Sequence, residues 1–91
     1  MAARLGNVRT QLVDRLSLEV INQILDRLFE DGVLNEGEKD GIIQANQKRS
    51  DKARDLIDIV RKKGDVASEK MLDILQDRDP MLCSSLGLQS Q

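Results

Sequence analysis

Ser50-Asp51-Lys52-Ala53-Arg54-Asp55-Leu56-Ile57-Asp58-Ile59-Val60-Arg61-Lys62-Lys63-Gly64 reads as one helix. Ser50 is placed to cap its start and Gly64 to end it. Ala53, Leu56, Ile57 and Val60 recur at helical spacing and form a single apolar stripe. Lys52, Arg54, Asp55, Asp58 and Arg61 fall largely outside that stripe, on a polar surface of mixed sign. An active-site helix is expected to carry a nucleophile, a base or a metal ligand. This one has a core side and a charged side, which points to recognition rather than chemistry.

The composition narrows the choice further. A chain of 91 residues has material for one modest core and not for two. Residues 1–88 therefore read as one domain, with Gln89-Ser90-Gln91 as a flexible tail. Apolar residues make up 40% of the chain and Phe29 is its one aromatic, so the core must be built from Leu, Ile, Val and Met. Those residues suit helix packing, whereas sheets draw more on aromatics and Thr. The expected class is all-α.

Lys and Arg number 14 against 16 Asp and Glu, a net charge of -2. Nucleic-acid modules show a basic excess and stacking aromatics, so no nucleic-acid partner is expected. No apolar run approaches the roughly 18–20 residues of a membrane span, and the N-terminus lacks the apolar stretch of a signal peptide. Cys83 has no second cysteine to pair with, which fits a reduced, cytoplasmic protein. Histidine is absent, and with it the usual general base and the commonest metal ligand. Cys83 then has no His to activate it and cannot form a zinc site alone. It reads as a small buried hydrophobe. No catalytic residue, cofactor or metal is expected.

The apolar positions divide the chain into six helical segments. The first runs from Ala3 to Leu16, with Leu5, Val8, Leu12, Val13 and Leu16 inward and a bend or split expected at Gly6. Ser17 caps the second, in which Val20, Ile21, Ile24, Leu25, Leu28 and Phe29 form the most amphipathic face of the chain, and Gly32 ends it. Asn35 with Glu38 forms a capping box for the third, anchored by Ile42, Ile43 and Ala45. Asn46-Gln47-Lys48-Arg49 links it to the fourth segment, quoted above. Asp65 caps the fifth, whose core candidates are Val66, Met71, Leu72, Ile74 and Leu75. Asp79-Pro80 starts the sixth, docked by Met81, Leu82, Cys83 and Leu86 and stopped by Gly87.

Much of the charge pattern has an ordinary helical explanation. Arg61-Lys62-Lys63 complements the negative end of its helix dipole, and Asp58 to Lys62 is a favourable pair at i,i+4. The end of the second segment is different. Glu30 and Asp31 oppose the dipole there by about 0.3–1 kcal/mol each, and Asp26, Glu36, Glu38 and Asp40 lie nearby in sequence. Basic residues gather elsewhere, at Arg4, Arg9, Arg15, Lys52 and Arg54. A near-neutral protein with one acidic and one basic face can join copies of itself head to tail, and such a contact need not close.

Three motifs carry a specific resemblance. Ile24-Leu25-Asp26-Arg27-Leu28 followed by Asp31-Gly32-Val33-Leu34 is similar to the second helix and its exit in caspase recruitment domains (CARDs) of the death-fold superfamily. Asp51-Lys52-Ala53-Arg54-Asp55-Leu56-Ile57-Asp58 resembles the fourth-helix signature of inflammatory-caspase prodomains and their CARD-only relatives. Arg78-Asp79-Pro80, with Leu82 and Leu86-Gly87-Leu88, resembles the end of the same group. The resemblance implies a six-helix antiparallel bundle of the death-fold (CARD) type. It also implies partners that are other CARD-containing proteins (a caspase, an adaptor or a sensor) and copies of the chain itself, in a filament or homo-oligomer.

Carried over by position, the resemblance implies a basic face of Arg9, Lys52 and Arg54. The acidic face is Asp26, Glu30, Asp31 and Asp40. One secondary contact joins Arg61 and Lys62 to Asp77 and Asp79, and another joins Glu38 to Lys48 and Arg49. The first segment departs from the family's strongly basic start, with only Arg4 and Arg9 ahead of Gln11.

The leading expectation is thus a homotypic module that recruits or regulates an inflammatory caspase in cell-death signalling through salt-sensitive, charge-complementary helical assembly. Its alternatives are a CARD-only decoy that inhibits caspase recruitment and a helical adaptor that holds a partner helix in an apolar groove.

Overall fold

A computed structural model describes residues 2–45 and 48–88, so Met1, Asn46, Gln47 and the Gln89-Ser90-Gln91 tail lie outside the described residues. These residues form seven helices and no strand: α1 (Ala2–Asn7), α2 (Arg9–Arg15), α3 (Leu18–Glu30), α4 (Glu36–Ala45), α5 (Arg49–Lys63), α6 (Asp65–Arg78) and α7 (Pro80–Ser85). The count exceeds six because the first segment is split. The break falls at Val8 (φ -109°, ψ 8°), not at Gly6, which stays helical. Gly6 serves a different purpose. A Cβ built on it would stand 3.0 Å from Nη2 of Arg61, so its bare backbone lets the guanidinium on α5 lie close to α1.

Local signals set most of the helix ends. Ser17 Oγ accepts from the Val20 N–H (3.1 Å) at the start of α3. The capping box closes both ways, with Glu38 N–H donating to Asn35 Oδ1 (2.7 Å) and Asn35 N–H donating to Glu38 Oε1 (3.0 Å). Asp79 Oδ1 accepts from the Leu82 N–H, with Pro80 in the first turn of α7. Helix α3 ends in a Schellman turn: Gly32 has φ 78°, its N–H donates to Phe29 O, and Val33 N–H donates to Leu28 O. The same arrangement around Gly87 brings Leu88 back onto the core.

Two start signals are displaced. Helix α5 begins at Arg49 with Lys48 at the cap, so Ser50 lies in its first turn and caps nothing. Arg49 is drawn in because its Nη1 donates to the carbonyls of Val13 (2.8 Å) and Leu16 (2.7 Å) at the end of α2. At the next junction Gly64 takes the cap position, and Asp65 enters α6 as its first residue, where its charge still favours the positive helix end.

Helices α5 and α6 form the centre. Helix α5 packs against α1, α2, α3, α4 and α6, and α6 against α1, α3, α5 and α7. Ala53, Leu56, Ile57 and Val60 are buried, as are Met71, Leu72, Ile74 and Leu75, and they meet Leu5, Leu12, Leu16, Ile21, Ile24, Leu25 and Leu28 in one cluster. Cys83 is part of that cluster, and burial pushes its thiol pKa up.

Five expected core residues lie outside it. Val66 is 74% exposed and Met81 83%, because α6 turns Ala67 and Ser68 inward and α7 turns Leu82 and Cys83 inward. Of the expected anchors of α4, Ile42 is buried while Ile43 and Ala45 are exposed. Phe29 is 39% exposed at the rim, where the chain leaves α3, with Lys39 Nζ 5.0 Å from its ring centroid. The sequence reading also passed over Ser68, which is fully buried with an Oγ that has no hydrogen-bond partner.

Replacing Ile57 or Leu28 with Ala should cost about 2–5 kcal/mol in urea unfolding, the range for a large side chain removed from a packed core. Val66→Ser should stay within about 0.5 kcal/mol of wild type. Equal losses at Val66 and Ile57 would contradict this core.

Candidate protein-interaction faces

The core stripe of α5 decides where its charges go. With Ala53, Leu56, Ile57 and Val60 inward, Arg54, Asp55, Arg61 and Lys62 are exposed, and Asp51, Lys52 and Asp58 are half-buried. Helix α2 packs beside α5, which puts Arg9 with Lys52 and Arg54 on one helix pair. Asp26 and Glu30 belong to α3, Asp31 follows it, and Asp40 belongs to α4, which packs on α3. The two sets expected from the sequence thus occupy two different helix pairs.

The basic set is paired inside the molecule, and so is Asp26 of the acidic set. Arg9 Nε and Nη2 donate to Asp58 Oδ1 (2.8 Å) and Oδ2 (2.9 Å), a two-pronged contact that ties α2 to α5. The expected Asp58–Lys62 pairing gives way to it, because the fixed fork of a guanidinium engages both carboxylate oxygens at once. This bond holds the Asp58 carboxyl below the usual carboxylate range and raises the Arg9 pKa. Arg54 Nη1 donates to Asp51 Oδ1 (2.6 Å) one turn earlier. Lys52 Nζ donates to the Ile43 carbonyl (3.0 Å). On the acidic side Lys39 Nζ lies 3.0 Å from Asp26 Oδ1, and that contact raises the Lys39 pKa.

The secondary residues divide in the same way. Glu38 combines the capping box with Lys63 (3.0 Å), and the Asn35 N–H, then Lys63, hold its pKa down. Arg49 is engaged with the end of α2, as described, while Lys48 and Lys62 are exposed. Asp79 caps α7, and Asp77 lies 3.8 Å from Arg27 and 3.7 Å from Arg78. Asp31 and Asp77 border a shallow cleft of about 210 Å³ between α3 and α6, with Arg27, Lys70, Asp73 and Ile74. The described residues contain no group of three or more His, Cys, Asp or Glu placed to hold a metal, and no helix long and apolar enough to cross a membrane.

Sequence reasoning missed Asp51, Asp58 and Lys39 as members of these faces. The Asp51–Arg54 spacing of i,i+3 was a readable signal. The other two contacts join separate helices, and no local spacing announces them.

The Arg9–Asp58 pair carries a pH signature. A depressed carboxyl pKa in the folded state means that its stabilisation is complete above about pH 4, the unfolded value. It is lost as pH falls through the lower folded value. Asp58→Asn should therefore reduce the Tm at pH 7 by about 2–5 °C, and the gap from wild type should close in strong acid. A gap of equal size in acid would mean that the substitution acts through packing instead.

Comparison with known proteins adds the remaining evidence. The chain matches the sequence profile of the caspase recruitment domain over residues 3–89. It is 44% identical over 82 residues to caspase-1 of Mus musculus, covering 90% of this chain and 20% of that protein. To caspase recruitment domain-containing protein 18 of Homo sapiens it is 40% identical over 68 residues, covering 75% of this chain and 76% of that protein. The chain spans about a fifth of the length of the caspase-1 relatives that it matches. The solution structure of ICEBERG, an inhibitor of interleukin-1beta generation, superposes with a TM-score of 0.85 at 34% identity, covering 93% of this chain and 96% of that one. With the helix order, the two charged helix pairs and a profile match across nearly its whole length, the chain belongs to the caspase recruitment domain family.

Proposed function

We propose that this CARD is a homotypic interaction module that recruits or regulates an inflammatory caspase in the cytoplasm. The carrying observation is the division of charge between two helix pairs, Arg9, Lys52 and Arg54 on α2 and α5 against Asp26, Glu30, Asp31 and Asp40 around α3 and α4. Docking of the basic pair of one molecule on the acidic pair of the next is heterologous, so it builds an open helical filament or a short homo-oligomer. Arg61 and Lys62 with Asp77 and Asp79, and Glu38 with Lys48 and Arg49, supply the secondary contacts. The chain acts by binding and carries no catalytic step of its own. Residues 1–88 are its functional unit.

A second reading is a decoy that occupies a caspase CARD without propagating assembly. It is favoured by the likeness to ICEBERG, which runs along 96% of that inhibitor's chain. Added to a polymerising caspase-1 CARD, a propagating module shortens the lag and a decoy lengthens it.

An exposed ion pair contributes roughly 0–1 kcal/mol, so assembly needs several contacts per subunit, rises steeply with concentration and weakens with salt. Asp26→Arg and Arg54→Glu should each abolish assembly in light scattering and negative-stain microscopy, with the helical circular dichroism of wild type retained. If either protein unfolds, or assembles as wild type does, the assignment of these faces is wrong.

A further inference from the structure

The cations of the basic face are not bare. Arg9 is held two-pronged by Asp58, and Arg54 is held by Asp51. Both carboxylates belong to α5, the helix that also carries Arg54. All four side chains remain partly open to solvent, at 32% and 43% for Arg9 and Asp58 and 46% and 45% for Arg54 and Asp51. An incoming carboxylate therefore meets guanidinium groups that are already neutralised, with a like charge beside each. It can reach them, but only in competition. The first segment offers few spare cations to outweigh this, since only Arg4 and Arg9 precede Gln11, and Arg4 is itself paired with Glu69 (3.1 Å). The mutual shifts in the Arg9 and Asp58 pKa values agree with a pair that is formed in the isolated molecule.

We propose that Asp51 and Asp58 are internal competitors for the basic face, so that a second copy docks by exchanging ion pairs rather than adding them, and that these two carboxylates set the concentration at which assembly begins. The proposal rests on the reading of α2 and α5 as the receiving face. Exchange leaves the number of ion pairs nearly unchanged, so the threshold depends on salt less steeply than simple pairing would make it. Asp51 and Asp58 are positioning residues: they act through Arg54 and Arg9.

The test measures the assembly threshold of the full chain by light scattering for Asp51→Asn, Asp58→Asn and a charge-matched control, Glu19→Gln, an exposed carboxylate in the first turn of α3 and outside the contacts named above. Releasing one competitor should lower the threshold about two- to fivefold, the range for one exposed pair, and should steepen its salt dependence. The control should stay near wild type. Unchanged or raised thresholds in the two α5 variants would overturn the proposal, and a raised one would mean that Asp58 holds Arg9 ready for the partner. An equal drop in the control would overturn it too, since net charge alone would then be the cause. Asp51→Asn leaves the α2–α5 contact untouched, so the test stands even if Asp58→Asn fails to fold. If Arg54→Glu abolishes assembly while Asp51→Asn changes nothing, competition alone fails. If Arg54→Glu assembles normally, the receiving face and the competition fall together.

Discussion

Burial of one side of α5 is the constraint from which the rest follows. Ala53, Leu56, Ile57 and Val60 have no exposed surface, and five other helices pack around them. A helix so enclosed has its rotation fixed, because any turn about its axis would bring Asp58 or Arg61 into the core at the cost of desolvating a charge. The polar positions between the stripe residues must then point outward. Phe29, the one aromatic, lies at the rim of the core, so aliphatic side chains of α3, α5 and α6 do the packing that larger rings would otherwise do.

The surface this produces is dense in charge but largely compensated. Arg9, Arg54 and Asp26 each have an opposite charge within 3.0 Å in the same molecule. Such pairs add little to the stability of an exposed surface. Their consequence lies in recognition, where electrostatic complementarity governs partner choice and encounter more than affinity. A face that presents compensated cations discriminates against generic polyanions and responds to a partner whose carboxylates fit the same geometry.

Much of the fold could be read along the chain because its signals are local. The Ser17 and Asp79 caps, the Asn35–Glu38 box and the turns at Gly32 and Gly87 depend on residues within five positions of one another. The misread ends depend on distant partners. Arg49 starts α5 early because the carbonyls of Val13 and Leu16 accept from it, and nothing near Arg49 in sequence says so. Val66 and Met81 look like core by composition, yet each lies in the first turn of a helix whose inward side is filled by neighbours. The residues expected on the two faces come from the family's motifs, whereas the intramolecular ties of Asp58 and Lys39 have no local signal, since their partners Arg9 and Asp26 belong to other helices.

The central claim is that two distinct faces of this CARD recognise each other. Mixing a molecule that has lost only its acidic face with one that has lost only its basic face tests it most directly. Asp26→Arg keeps Arg54, and Arg54→Glu keeps Asp26, so an equimolar mixture retains one intact basic-to-acidic contact per pair of molecules, with the secondary contacts unaltered. Sedimentation velocity should show each variant monomeric alone and a one-to-one dimer, but nothing larger, in the mixture. A mixture that stays monomeric, or that grows into long assemblies, would contradict the account.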